Sequence, residues 1–115
     1  MKLTREEAIR KHREMWNWIA GETEKQKRCM DKWEYFTSHG ITEENLPNMQ
    51  CFCCEYTKSE PCGKCPVIWG DTLLAACSDP YGEYRLFTEA VRNDNWRISA
   101  KYARIIVNLP ERSET

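Results

Sequence analysis

Two cysteine pairs stand in the middle of the chain, Cys51-Phe52-Cys53-Cys54 and Cys62-Gly63-Lys64-Cys65, with seven residues between them. The spacing is C-x2-C-x7-C-x2-C, and four thiolates in two such pairs are the ligand set of a structural zinc ion. Two residues between cysteines let a tight turn aim both sulfurs at one point. Gly63 suits the second turn, because glycine takes a positive φ without a Cβ clash. Pro61 and Pro66 bracket that turn and stiffen it. The first pair has no glycine and is the weaker half of the motif. The short gap calls for a compact knuckle rather than a long finger.

Other readings compete. The chain has seven cysteines, an odd number, and its opening residues do not read as an export signal, so an oxidised secreted framework is disfavoured. An iron–sulfur cluster uses the same ligands, and zinc is preferred on ligand type and spacing. Cys53 is an alternative to Cys54, and Cys77 lies close enough to stand in for one of the four. The ligands read here are Cys51, Cys54, Cys62 and Cys65. Cys29 falls in a helical pattern and reads as a small buried apolar residue.

The remaining residues predict a mainly α single domain over 1–115. Its parts are a long N-terminal helix over 4–39, a metal-binding loop over 48–70 and a C-terminal helical hairpin over 79–109. Thr4-Arg5-Glu6-Glu7 is a capping box. Ile9, Trp16, Thr23 and Met30 recur every seven residues, and Ile19 and Trp33 fall on the same stripe, which is a helix period. His12 lies on that stripe too; a packed helix histidine is the preferred reading, because no Cys or His stands at ligand spacing from it. His39-Gly40 fits a helix stop with Ile41 beyond it. Residues 42–47 suggest one short helical turn ended by Pro47. Val67, Ile68 and Trp69 read as an apolar lid on the metal site, with Trp69 a core residue. Asp79-Pro80 signals a helix start, and Tyr84, Phe87 and Val91 share a face. Asp94 is read as the cap of a last helix carrying Trp96, Ala100, Ala103, Ile106 and Val107, ending at Asn108-Leu109-Pro110.

A helix of 36 residues would be on the order of 50 Å long, more than a domain of about 35 Å diameter can cover. It must break, with Gly21 the obvious place, or be covered by a partner. The stripe continues in phase through Gly21. That favours one unbroken helix and a symmetric homodimer through it.

His12-Arg13-Glu14-Met15-Trp16-Asn17-Trp18-Ile19-Ala20, Cys51-Phe52-Cys53-Cys54-Glu55-Tyr56, Cys62-Gly63-Lys64-Cys65-Pro66-Val67-Ile68-Trp69 and the Asn108-Leu109-Pro110-Glu111 ending together resemble small cysteine-rich proteins encoded by bacteriophages of Bacillus and related hosts. The resemblance runs across most of the chain. It implies an accessory protein made in the infected bacterial cell, and it implies no activity. It also implies that Cys51 pairs with Cys54, since Cys53 falls at the variable position of that pattern.

Charge and chemistry narrow the function classes. A four-cysteine site is closed and has no position for a reactive water. The chain has no Gly-rich phosphate loop and no nucleophile elbow. A cysteine nucleophile at Cys53 or Cys77 would lack a sequence-evident base. Enzymatic function is therefore not expected. Between Ile41 and Pro80 two lysines, Lys58 and Lys64, face six acids, Glu43, Glu44, Glu55, Glu60, Asp71 and Asp79. Phosphate binding needs the opposite balance. No apolar run reaches membrane-spanning length. With both signs mixed at 30% charged residues and net charge −1, a cytoplasmic protein is expected. The leading expectation is a zinc-stabilised binding protein that modulates, or inhibits, a host protein such as a defence factor. The alternative is a sponge for an immune signalling nucleotide, in a pocket built from Trp18, Tyr81, Tyr84, Arg85 and Arg92. A nucleic-acid-binding zinc module stands third.

Overall fold

The computed structural model describes residues 3–47, 52, 56, 66–67 and 82–111. They form a mainly α structure of helices α1 (Arg5–Gln26), α2 (Lys32–Ser38), α3 (Glu83–Arg92) and α4 (Trp96–Val107), with a single 3-10 turn at Glu43–Asn45.

Helix α1 starts where the capping box puts it. The Thr4 hydroxyl accepts from the Glu7 N–H at 3.1 Å, and Glu7 Oε1 accepts from the Thr4 N–H at 3.1 Å, so two orphan donors of the first turn are satisfied reciprocally. Within α1 the stripe buries Ile9, Trp16, Ile19 and Thr23 as its period requires.

The unbroken helix over 4–39 does not form. It ends at Gln26, and a second helix begins at Lys32. Gly21 is not the break; it stays inside α1, with open space where a Cβ would sit. The turn is made at Lys27, which takes a left-handed φ of 55°. Two side chains then hold the chain on its new course. Thr23, fully buried, accepts from the Met30 N–H at 3.2 Å. Asp31 accepts from the Glu34 N–H at 3.0 Å and caps α2. The break rotates the pattern: α2 buries Tyr35 and Phe36, while Trp33 is 55% exposed. Trp33 therefore leaves the stripe on which the heptad spacing puts it. Cys29 lies in the connection rather than in a helix, half-buried, where it accepts from Ser99 Oγ at 3.5 Å.

Helix α2 ends in a Schellman motif. Gly40 has φ 69°, the Ile41 N–H reaches the Phe36 carbonyl at 2.9 Å, and the Gly40 N–H reaches that of Thr37 at 3.2 Å. The predicted glycine stop is thus found, with Ile41 packed on the core behind it. The same device ends α3. There Asp94 (φ 55°) occupies the left-handed position, and Asn95 N–H to Ala90 and Asp94 N–H to Val91 complete it, at 2.8 and 3.0 Å. Asp94 is therefore a stop and not a cap; Asn95 caps α4, accepting from the Ile98 N–H at 3.3 Å. The N-cap of α3 is Gly82; Asp79 and Pro80, read as a helix start, lie outside the described residues.

Helix α4 packs on both α1 and α3. Ala100 and Ala103 are buried on its inner face, and Ala8 and Ala20 on α1, so small side chains permit close approach. The core is aromatic at its centre: Trp16 stands edge-on to Phe87, with ring centroids 4.8 Å apart. Polar ties link the same elements. Arg104 donates to Asn17 at 3.0 Å and pairs with Glu24.

Because α1 is about 33 Å long at 1.5 Å per residue and is covered by its own chain, the overhang that called for a homodimer is gone. None of the described helices is long and apolar enough to cross a membrane.

Candidate functional site

Cys51, Cys54, Cys62 and Cys65 lie outside the described residues, as do the alternatives Cys53 and Cys77 and the lid residues Ile68 and Trp69. Their described sequence neighbours are placed. Phe52, between Cys51 and Cys53, is buried and packs edge-on to Phe36 at 6.0 Å between ring centroids, with Lys11 Nζ 5.8 Å from its own centroid. Pro66 and Val67, directly after Cys65, are buried as well. Phe52 and Val67 belong to one hydrophobic cluster with Met15, Trp16, Ile19 and Phe36. The chain next to each cysteine pair is thus drawn to the same core.

Val67 is fixed a second way. It forms an isolated antiparallel bridge with Glu111. The Glu111 carboxylate lies 3.7 Å from Arg5 and 3.5 Å from Arg13 of α1, and Arg13 also donates to the Leu109 carbonyl at 3.3 Å. Such partly exposed pairs are worth about 0–1 kcal/mol each. Their role is to fix register, while the buried Leu109 and Val67 supply the apolar contribution.

The two histidines part company. His12 is fully buried in α1, as the packed-histidine reading requires. His39 is at the end of α2, its Nδ1 2.8 Å from the Tyr35 carbonyl and its ring 4.2 Å from that of Tyr35. Trp18 stands edge-on to both, at 5.6 Å from each. Burial, and secondarily the nearby Glu14 charge, raises the Tyr35 phenol above its ordinary value. The Glu7 carboxyl is lowered, first by its bond from the Thr4 backbone and then by the Thr4 hydroxyl.

Trp33 is the side chain the sequence misplaced, and it stands at the edge of two depressions. One, of about 230 Å³, is lined by Asp31, Lys32, Tyr84, Phe87, Thr88 and Val91 as well as Trp33. In it Lys32 Nζ lies 4.3 Å from the Tyr84 ring centroid, a cation–π distance. The other, of about 630 Å³, runs along α1 and α2 past Trp18, Met30 and His39. Of the residues considered for a nucleotide pocket, the described ones do not line a common depression. Trp18 lines the larger depression and Tyr84 the smaller, Arg85 pairs with Glu89 at 3.2 Å, Arg92 is exposed at the end of α3, and Tyr81 lies outside the described residues.

No protein-family model matches the chain, and no curated protein or solved structure matches it either.

Proposed function

We propose that this is a non-catalytic binding protein, a phage accessory factor that docks on a host protein such as a defence factor and modulates it from within the infected cell. A zinc ion on Cys51, Cys54, Cys62 and Cys65 acts as its structural staple. The observation that carries the binding reading is Trp33. A tryptophan left 55% exposed on a short, capped helix, between two depressions, is the kind of rigid aromatic that anchors protein interfaces. The zinc reading is supported by donor chemistry and by the anchoring of Phe52 and Val67 in one core. A thiolate set tethered at both ends spends less entropy on closing around a metal, and a structural zinc contributes folding free energy directly.

The nucleotide sponge is the second reading, favoured by one feature: a depression of about 630 Å³ is within the size range of small-molecule sites. Its aromatic and basic candidates are dispersed, so it ranks below docking. Native mass spectrometry of the protein purified from infected cells tests both. A retained host protein that Trp33→Ala releases supports the first reading, and a retained nucleotide supports the second. If Cys53→Ala or Cys77→Ala abolishes biological activity while zinc stays bound, the non-catalytic reading fails.

A further inference from the structure

Helix α4 has a second, exposed face, bordered on one side by α1, where Arg104 meets Asn17 and Glu24. Its inner side is filled by Ser99, Ala100, Ala103 and Ile106, all buried. At 100° per residue the outer side divides into two parallel strips. Arg97, Lys101 and Arg104 form one. Ile98 and Ile105, seven residues apart, form the other, and they are 38% and 37% exposed. From Asn95 to Pro110 the sequence holds these three cations and no acid, in a chain whose net charge is −1. Arg104 is already paired with Glu24 of α1, which leaves the exposed Arg97 and Lys101 as the positive charge this face offers a partner.

We infer that the outer face of α4 is a docking surface for an acidic amphipathic helix of a partner protein. The inference rests on the binding-protein reading and adds to the Trp33 edge a second surface, with the chemistry of its occupant. Two features choose the occupant. The basic strip calls for carboxylates or phosphates, and the molecule already shows the carboxylate solution, since Arg104 pairs with Glu24 of α1. The aliphatic strip selects between them. Ile98 and Ile105 stand about 10 Å apart along the axis at 1.5 Å per residue, on one line of the helix, and they match apolar side chains repeated at heptad spacing on a facing helix. A phosphate backbone gains nothing from them. Arg97 and Lys101 are also held near the aromatic rings of Trp96 and Tyr102, at 5.1 and 5.7 Å from the centroids. That restricts their rotamers and lowers the entropic cost of pairing them with a partner.

The test is a backbone-amide NMR titration of the full chain with two probes. One is a designed helical peptide with leucine at heptad spacing flanked by glutamates; the other is a short DNA duplex. The surface predicts saturable peptide binding with shifts confined to residues 97–108. It also predicts at least a tenfold loss of affinity in Ile98→Ser/Ile105→Ser, and weakened salt dependence in Arg97→Gln/Lys101→Gln. Both pairs are solvent-facing, and an unchanged circular dichroism spectrum confirms that the variants fold. Failure of the peptide to bind, an isoleucine pair that binds as well as the parent, or DNA shifting the same amides more tightly overturns the inference. Peptide shifts that gather around Trp33 also overturn it, and they leave the binding-protein reading standing. If the host protein retained in native mass spectrometry is lost on Trp33→Ala but not on Ile98→Ser/Ile105→Ser, the surface alone is refuted.

Discussion

Replacing Thr23 by valine separates shape from hydrogen bonding at the point where the N-terminal segment turns. Valine keeps the branched outline of threonine and removes the Oγ1 that accepts from the Met30 N–H at 3.2 Å. Thr23 is fully buried and Met30 nearly so, so water cannot take the vacated place. A neutral hydrogen bond contributes about 0.5–1.5 kcal/mol net, while a buried donor left without an acceptor costs about 1–3 kcal/mol. The second figure governs here, because only one partner is removed. Against a total stability of roughly 5–15 kcal/mol, a loss of about 1–3 kcal/mol lowers Tm by about 4–12 °C, at about 4 °C per kcal/mol for a domain near this size. Urea unfolding followed by tryptophan fluorescence, to which buried Trp16 contributes, gives the value directly. Cm should fall with the m-value unchanged, which marks a change in stability rather than in the unfolded ensemble. Thr23→Ser keeps the acceptor and loses a methyl, at about 1 kcal/mol. A Thr23→Val protein within about 0.5 kcal/mol of the parent would refute the claim that this bond holds the turn.

Gly21 sits in the interior of α1 with no atom of a neighbouring group within 4 Å of where a Cβ would stand, so Gly21→Ala should raise stability by about 0.5–1 kcal/mol; thermal unfolding checks it. Burial raises the Tyr35 phenol. Its contribution is therefore complete below its unfolded value of about 10 and is lost as pH rises through the higher folded value, and Tyr35→Phe should flatten the alkaline limb of a Tm-against-pH curve. Purified protein should carry one tightly bound zinc, and Cys62→Ser or Cys65→Ser should release it and lower Tm; elemental analysis finding no zinc in folded parent protein would defeat the metal assignment.

Local signals in the sequence suffice wherever one turn of chain decides the outcome. The Thr4–Glu7 box, the Gly40 stop and the Pro47-terminated turn are of this kind. The break after Gln26 is hidden because the heptad phase of Ile9, Trp16, Thr23 and Met30 continues across it. Met30 keeps its burial by folding back, not by staying on the helix. One local sign is present: Asp31-Lys32-Trp33-Glu34 has the form of an N-cap followed by an acid at its third position. The exposure of Trp33 is not legible, since it depends on the register of α2 after the turn. Neither are the depressions beside it, which join residues of α2 to residues of α1 and α3 far apart in sequence. Asp94 and Asn95 exchange roles between sequence and structure because adjacent Asx residues suit both a left-handed stop and a cap. For the proposed cysteine site, the donor set is a reading of spacing alone, and the burial of Phe52 and Val67 in one core is a tertiary fact that no spacing contains.

The closure of α1 by α4 has a consequence in time. Arg13 meets the Leu109 carbonyl 96 residues away, and Asn17 meets Arg104 across 87. At roughly 5–20 residues per second of synthesis, α1 waits several seconds before its covering helix has been made. During that interval Met15, Trp16 and Ile19 have no α4 to lie against, and the nascent chain is open to chaperones and to premature association. A ribosome stalled before residue 96 would present an apolar helix with no lid, so the final sixteen described residues decide whether the first twenty-six become a core or an aggregation site.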